Sequence, residues 1–516
     1  MKKIIISTLA VSSLFFMTGC KTDFDTDVKD IVVTKGEADF SKFISLGNSL
    51  TSGYRDGALY SGGQNESFPS MIAMQMKLAG GGNFKQPLMP NNIGGFNNPT
   101  LVDMSGKPLF PGKLELKMVN GSLSPVANSP AAALDNVASA GPYQNLGVPG
   151  AKSFHLGLSN YGMLNPYYAR FSTGVSPVTA AVSQSPTFFS LWIGNNDVLS
   201  YATNGGTNST ITGGVTTYTV ATNQTGNTNP ASYLSNDISD PAVVAASITG
   251  YVNALTANGA KGVIANIPNV TSIPFFTRVP YNPVTPAALG ANITALNTSL
   301  YGPLKQALTA FGAGDRINLL SATSSNPVLI VDVSLPNLSA QLTAALTPSL
   351  GAPTAAAFGQ IYGQARQTTP EDYILLTTSS VIGTTVPGVP ASINVNGISY
   401  PLANQHVLTK AEAAKVLTAT AAYNTAIKAL ADSKGLAFVD MNAKMTELNS
   451  KSGISWDGVR YTATFVTGGA FSLDGVHLTG RGYAIVANEF IKSINAKYKS
   501  TLPQVDPNKY SGVTFP

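Results

Sequence analysis

The sequence predicts an α/β fold in which a parallel β-sheet is flanked by helices. Two observations carry that expectation. Short apolar runs recur along the chain and alternate with stretches of helical periodicity, the pattern of successive βα units. The clearest run, TFFSLWI at 187–193, is almost wholly apolar rather than apolar at every second position, as suits a central strand covered on both faces.

In chain order, an apolar run at 43–47 (FISLG) stops abruptly on Asn48 and Ser49. SFPSMIAMQMKL at 67–78 has apolar residues at helical spacing, Ile72 and Met76 among them. A second strand is expected at 143–148, the central strand at 187–193, a helix at 241–257 and a further buried strand, GVIANI, at 262–267. A long Ala-rich helix follows at 409–433, then LAFVD at 436–440, a strand ending on an acid, and a last helix at 480–498. Two segments break the rhythm. Residues 201–233, dominated by Thr, Asn and Gly, read as a β-hairpin or a mobile loop. Residues 269–405 mix a helix at 286–310 with Pro- and Thr-rich strands such as 386–400. Both lie between elements of one sheet and read as two large insertions, a kind of segment that often roofs sites in α/β enzymes.

Composition narrows the function. Of 516 residues, 44% are hydrophobic and only 11% charged, so the chain is globular and long enough for one enlarged domain or several ordinary ones. Its basic residues are scattered, without the Lys/Arg run that tracks a phosphate backbone, which argues against a nucleic-acid partner. At the N-terminus, Lys2-Lys3, an apolar stretch over 4–17 and Thr18-Gly19-Cys20 make a secretory leader, too short for an ordinary membrane span. Cys20 is the only cysteine, which rules out an internal disulfide and any multi-cysteine zinc site. Its place after Gly19 resembles a bacterial lipobox, which implies a signal peptide over 1–19 and lipid modification of Cys20. Residues 21–41, with Asp23, Asp25, Asp27 and Asp30, read as a solvated tether, and 501–516 as a C-terminal tail. An acidic tether in that place also resembles the surface-export signal of Bacteroidetes lipoproteins.

Only three histidines occur: His155, His406 and His477. His477 lies in Asp474-Gly475-Val476-His477, where a turn across the glycine can fold the carboxylate back onto the imidazole and fix its tautomer. Three other blocks precede it in order: Gly47-Asn48-Ser49-Leu50, the glycine-rich Asn145 to Ala151, and Gly194-Asn195-Asn196-Asp197 after the central strand. These three sit at the C-terminal ends of expected parallel strands, where open α/β sheets place their sites.

The four ordered blocks resemble those of the SGNH, or GDSL-type, serine hydrolases, and the runs DGALYSGGQNESFPSMIA and FSLDGVHLTGRGYAIVANEFIKSIN look like GDSL-type lipoproteins of Bacteroidetes. The resemblance implies a three-layer α/β/α, flavodoxin-like domain over 42–500, with Ser49 as nucleophile, His477 as general base and acid, and Asp474 as the carboxylate that orients it. It implies an oxyanion hole from the Ser49 and Gly150 N–H groups and the Asn196 amide, with no cofactor. It also implies a lipase or acylhydrolase acting on lipid, small-molecule or glycan esters, held at the outer membrane through its N-terminal lipid and facing either the periplasm or the exterior. A carbohydrate O-acetylesterase of the same fold is the alternative within that class. A non-catalytic lipoprotein that binds glycan or protein is the alternative outside it.

One departure is visible: Asn48 stands where the motif usually has Asp. The G-x-S-x-G elbow of ordinary α/β-hydrolases and H-E-x-x-H are both absent, and nothing suggests a catalytic metal. Of the remaining candidates, His155 begins the helix after the glycine block or lines the substrate cleft. Asp197 is expected to cap the helix it opens. His406 caps or packs at the insert boundary, and Asp440 ends a strand. Trp456 and Tyr461 either contact substrate or fill the core.

Overall fold

The structure, a computed structural model, describes residues 32–103, 106–212 and 215–516; the leader and Cys20 lie outside them. The class is α/β. Five parallel strands, β1 (Phe43–Gly47), β2 (Asn145–Gly147), β3 (Phe188–Trp192), β4 (Lys261–Ala265) and β5 (Ala437–Val439), form the central sheet in the order 2-1-3-4-5. β1 pairs with β3 from Phe43–Phe188 to Gly47–Trp192, and with β2 from Ser45–Asn145, so the C-terminal ends of all three lie level. Between β1 and β3 the direction of strand addition reverses, which opens the crevice where sheets of this kind hold their ligands. Every residue of β1 and β3 is buried, hence their largely apolar character; the one serine of each strand is satisfied by the other, Ser190 Oγ donating to Ser45 Oγ at 2.7 Å.

The helices used below are α1 (Ser49–Ser52), α2 (Phe68–Leu78), α3 (Asn196–Thr203), α4 (Pro241–Thr256), α5 (Lys410–Ser433) and α6 (Gly480–Tyr498). α2 packs against α6, while α5 packs against α3 and α4. Phe68 of α2 meets Phe490 of α6 at 4.8 Å between ring centroids and Trp192 of β3 at 5.6 Å. Burying an aromatic ring of this size contributes roughly 2–3 kcal/mol. The helix starts follow from capping chemistry. Asp240 accepts from the Ala242 and Val243 N–H groups before α4, and Thr409 forms a reciprocal capping box with Glu412 before α5.

Several expectations need correction. Residues 32–41 are mostly exposed, as a tether would be, but they are docked on the domain at a few points. Phe40 is 1% exposed and packs on Phe188, and Glu37 N–H donates to the Tyr498 carbonyl. The C-terminal tail is docked as well, with Leu502 and Val505 in the core and Val505 held by both ends of the Asn488 amide. Residues 201–203 complete α3, and Tyr201 and Ala202 are fully buried. The hairpin expected nearby is present as exposed strands Thr207–Thr212 and Val215–Val220.

Within 269–405, the expected helix over 286–310 is broken into Pro286–Leu289, Asn292–Leu296, a π-turn and Gly302–Ala310. The expected strand over 386–400 is replaced by isolated bridges. Helices Ser339–Leu350 and Ala352–Tyr362 occur instead. Residues from Val284 to Val407 build an apolar cluster of their own, around Tyr301, Leu329, Leu342 and Tyr362.

Candidate active site

β1 ends at Gly47 because the next turn needs the space. A Cβ there would lie 2.1 Å from Thr51 Oγ1 and 2.4 Å from the Trp192 carbonyl oxygen. Asn48 then caps α1, its Oδ1 accepting from Leu50 N–H at 3.0 Å and its Nδ2 donating to Asn195 Oδ1 at 3.1 Å. Ser49 is thereby fixed as the first residue of a one-turn helix at the crevice between β1 and β3.

His477 reaches Ser49 from 428 residues away in sequence. The turn that carries it is closed by Asp474, whose Oδ1 accepts from Val476 N–H at 2.9 Å and His477 N–H at 2.8 Å. Asp474 Oδ2 lies 2.9 Å from His477 Nδ1, and His477 Nε2 lies 2.8 Å from Ser49 Oγ. With Nδ1 protonated toward the carboxylate, Nε2 is left as the acceptor for the serine proton. Burial alone would raise the Asp474 pKa. The His477 ring and the N–H groups of His477 and Val476 outweigh it and hold the carboxyl well below the usual carboxylate range.

The loop after α1 completes this arrangement and was not legible beforehand. Gly57 N–H donates to Asp474 Oδ2 at 2.9 Å, Asp56 Oδ1 accepts from Leu473 N–H at 3.1 Å, and Asp56 N–H donates to Ser472 Oγ at 2.9 Å. Asp56 is itself held by the Tyr60 hydroxyl at 2.7 Å. Tyr54 packs on the imidazole with ring centroids 4.7 Å apart. The sequence signal was the run Asp56-Gly57-Ala58-Leu59-Tyr60, whose partners could not be inferred from spacing.

Gly150 and Asn196 stand at the ends of β2 and β3. Gly150 has φ +80°, a left-handed conformation that favours glycine. The preceding Pro149 carbonyl is held at 2.8 Å by Asn165 Nδ2. Among the described residues, neither Ser49 N–H nor Gly150 N–H donates to a protein acceptor. Asn196 Nδ2 spends one N–H on the Ala151 carbonyl at 2.9 Å and keeps a second.

The other candidates fall elsewhere. Asp197 does not cap α3. It is fully buried, and its carboxylate accepts from Ser153 N–H at 2.8 Å and Ser153 O–H at 2.9 Å, tying the glycine-rich loop to α3. Burial raises its pKa, opposed by the nearby Lys152 charge. His155 lies in the 3-10 turn Ser153–Gly157 and lines a cavity that reaches Gly150 and Asn196. His406 packs at the boundary, with its carbonyl accepting from Leu375 N–H. Asp440 ends β5 and caps the next helix by accepting from Ala443 N–H. Tyr461 is buried in the core, while Trp456 is half-buried against it.

Two cavities are lined by neighbours of the site, though neither by Ser49 or His477 themselves. One, of about 260 Å³, has mixed polarity and lies on the Gly150–Asn196 side. The other, of about 80 Å³, is almost wholly apolar and lies behind Leu50 and Val476. Among the described residues, no group of three or more His, Cys, Asp or Glu is placed to hold a metal ion, and no helix is long and apolar enough to cross a membrane. No family model, curated protein or solved structure matches the chain.

Proposed function

We propose that the protein is a serine ester hydrolase of the SGNH type, a three-layer α/β/α domain with large insertions after β3 and β4. The observation that carries this reading is the hydrogen-bonded chain from Ser49 Oγ through His477 to Asp474, at 2.8 and 2.9 Å. In the proposed reaction, Ser49 Oγ attacks the ester carbonyl carbon as His477 Nε2 takes its proton. The negative charge passes to the former carbonyl oxygen, for which the free Ser49 and Gly150 N–H groups and the remaining Asn196 N–H are available donors. Collapse breaks the bond to the alcohol, which leaves with the proton held by His477. Water then repeats the sequence on the acyl-enzyme and releases acid and free Ser49. Asp474 stays ionised throughout and stabilises the imidazolium.

Residue order along the chain supports the SGNH assignment, as does the place of Ser49 and Asn196 on either side of the strand-order reversal. The proposed setting is the bacterial cell envelope, with Cys20 as lipid attachment. Purified protein, expressed without the leader, is expected to hydrolyse short-chain aryl esters and to be labelled by a fluorophosphonate at Ser49. Full turnover by Ser49→Ala would remove the nucleophile assignment, and an unlabelled, inactive wild type would favour a binding lipoprotein.

A further inference from the structure

The larger cavity begins at Gly150 and Asn196 and extends under residues 230–235. That roof is braced. Asp237 accepts from Asn208 Nδ2 at 2.8 Å, Thr222 N–H at 2.9 Å, Gln224 Nε2 at 2.6 Å and Leu234 N–H at 2.9 Å. From below, Lys152 Nζ donates to the Asp237 carbonyl at 2.6 Å. The chamber is thus built into the fold by the segment between β3 and α4.

Its polar groups are largely committed. Ser200 donates to the Asn196 carbonyl at 2.8 Å, and the Tyr233 hydroxyl donates to the Asn227 carbonyl. The Lys152 ammonium is buried on its carbonyl partner. Gly150 N–H and the second Asn196 N–H, which also open on the chamber, are the donors assigned above to the ester oxygen, and His155 adds a ring donor apart from them. Its Nδ1 accepts from Lys152 N–H at 3.1 Å, so the neutral ring carries its proton on Nε2. Among the described residues that N–H has no protein acceptor. The ring is fixed by stacking on Tyr161, with centroids 4.9 Å apart, and by the edge contact with Phe154 at 4.5 Å. Burial and the Lys152 charge push the His155 pKa down to about 4, so near neutrality it is an uncharged donor. A rigid neutral donor in a mixed-polarity chamber suits an uncharged oxygen acceptor. A methylene chain there would leave the N–H unpaired, at a cost the second, apolar cavity avoids.

We propose that the chamber holds the polyol part of the substrate, with His155 Nε2–H donating to one of its oxygens, so that the protein selects short-acyl esters of sugars over long-chain acyl esters. This rests on the esterase reading of Ser49. His155 is then a specificity-determining residue, a role apart from the Ser49–His477 chemistry.

The test compares kcat/KM on a peracetylated pentose, 4-nitrophenyl acetate and 4-nitrophenyl octanoate for the wild type, His155→Phe and His155→Gln, with thermal melts for each. The wild type is expected to favour the sugar acetate over the octanoate. His155→Phe should lose at least tenfold more on the sugar acetate than on 4-nitrophenyl acetate, and His155→Gln, which retains an N–H donor, should recover part of that difference. Equal losses on both acetates, or a wild-type preference for the octanoate, would overturn the inference while leaving the esterase reading intact. Wild type inactive on all three esters would overturn both.

Discussion

Asn48 Nδ2 donates to Asn195 Oδ1 at 3.1 Å, which joins the turn before the serine to the turn before α3. An aspartate at 48 could still accept from Leu50 N–H but could not donate, so Asn195 would have to turn its amide to present Nδ2. No protein partner among the described residues opposes that rotation. Asn48→Asp is therefore expected to keep ester turnover within about threefold. Asn48→Leu, which loses the cap and strands Asn195, should cost on the order of 2 kcal/mol in urea denaturation.

Ser49→Ala, His477→Ala and Asp474→Asn should each lower kcat by roughly 10³-fold or more. The double variant Ser49→Ala/His477→Ala should be little worse than either alone, because the groups act as a unit. Steady-state kinetics on a short aryl ester, backed by near-UV circular dichroism, would check this. Additive losses would argue against a shared proton path.

Stability should respond to acid in two windows. His155 is lowered from 6.5 to about 4 in the fold, so the unfolded chain binds its proton first and stability falls as pH drops from about 6.5 toward 4. Titration of His155 is worth on the order of 2 kcal/mol after allowance for its partial exposure. Asp474 acts lower. Its folded pKa lies below the ordinary 3.8, so its contribution is complete above that value and is lost as pH falls through the folded one. Burial lowers His406 as well, so urea midpoints measured against pH should show the first slope reduced, not abolished, in His155→Gln, and the second flattened in Asp474→Asn.

Asp197→Ala should be among the most destabilising single changes near the site. It leaves Ser153 N–H and O–H unpaired and removes the stronger of the two carboxylate influences on the buried Lys152. A loss of roughly 3 kcal/mol is expected. Chemical denaturation would measure it, and Asp197→Asn should recover part by still accepting from Ser153.

Much of the site was legible because strand ends write themselves in turn chemistry. Gly47-Asn48-Ser49 and Asp474-Gly475-Val476-His477 are local devices whose residue types state their own geometry. β1, β3 and β4 were legible because strands buried on both faces have to be mostly apolar, whereas the short β2, Asn145-Leu146-Gly147, showed mainly through the glycine-rich turn after it. What escaped notice depends on distance. The partner of Asp197 is Ser153, 44 residues away, so a helix-capping role was the natural reading for an acid in a first turn. Phe40 and Ala38 are isolated apolar residues in a polar stretch, and only the groove beside Phe188 and Tyr498 explains their burial. In 284–407 the Ala- and Thr-rich helices lack a strong apolar stripe, so the second cluster around Tyr301 and Tyr362 left little trace in the pattern.

The docking of residues 34–40 also fixes where the chain joins the domain. Thr34 N–H donates to Thr501 Oγ1 at 2.8 Å, Glu37 N–H to the Tyr498 carbonyl at 2.7 Å, and Phe40 rests on the first residue of β3. The chain therefore enters at the edge where the strands begin, whereas Ser49 and Asn196 stand at the edge where they end. If Cys20 carries the proposed lipid, the twelve residues from there to Val32 span at most about 40 Å. The point of attachment and the mouth of the site would then lie at opposite edges of the sheet, so that an anchor at one leaves the crevice at the other uncovered.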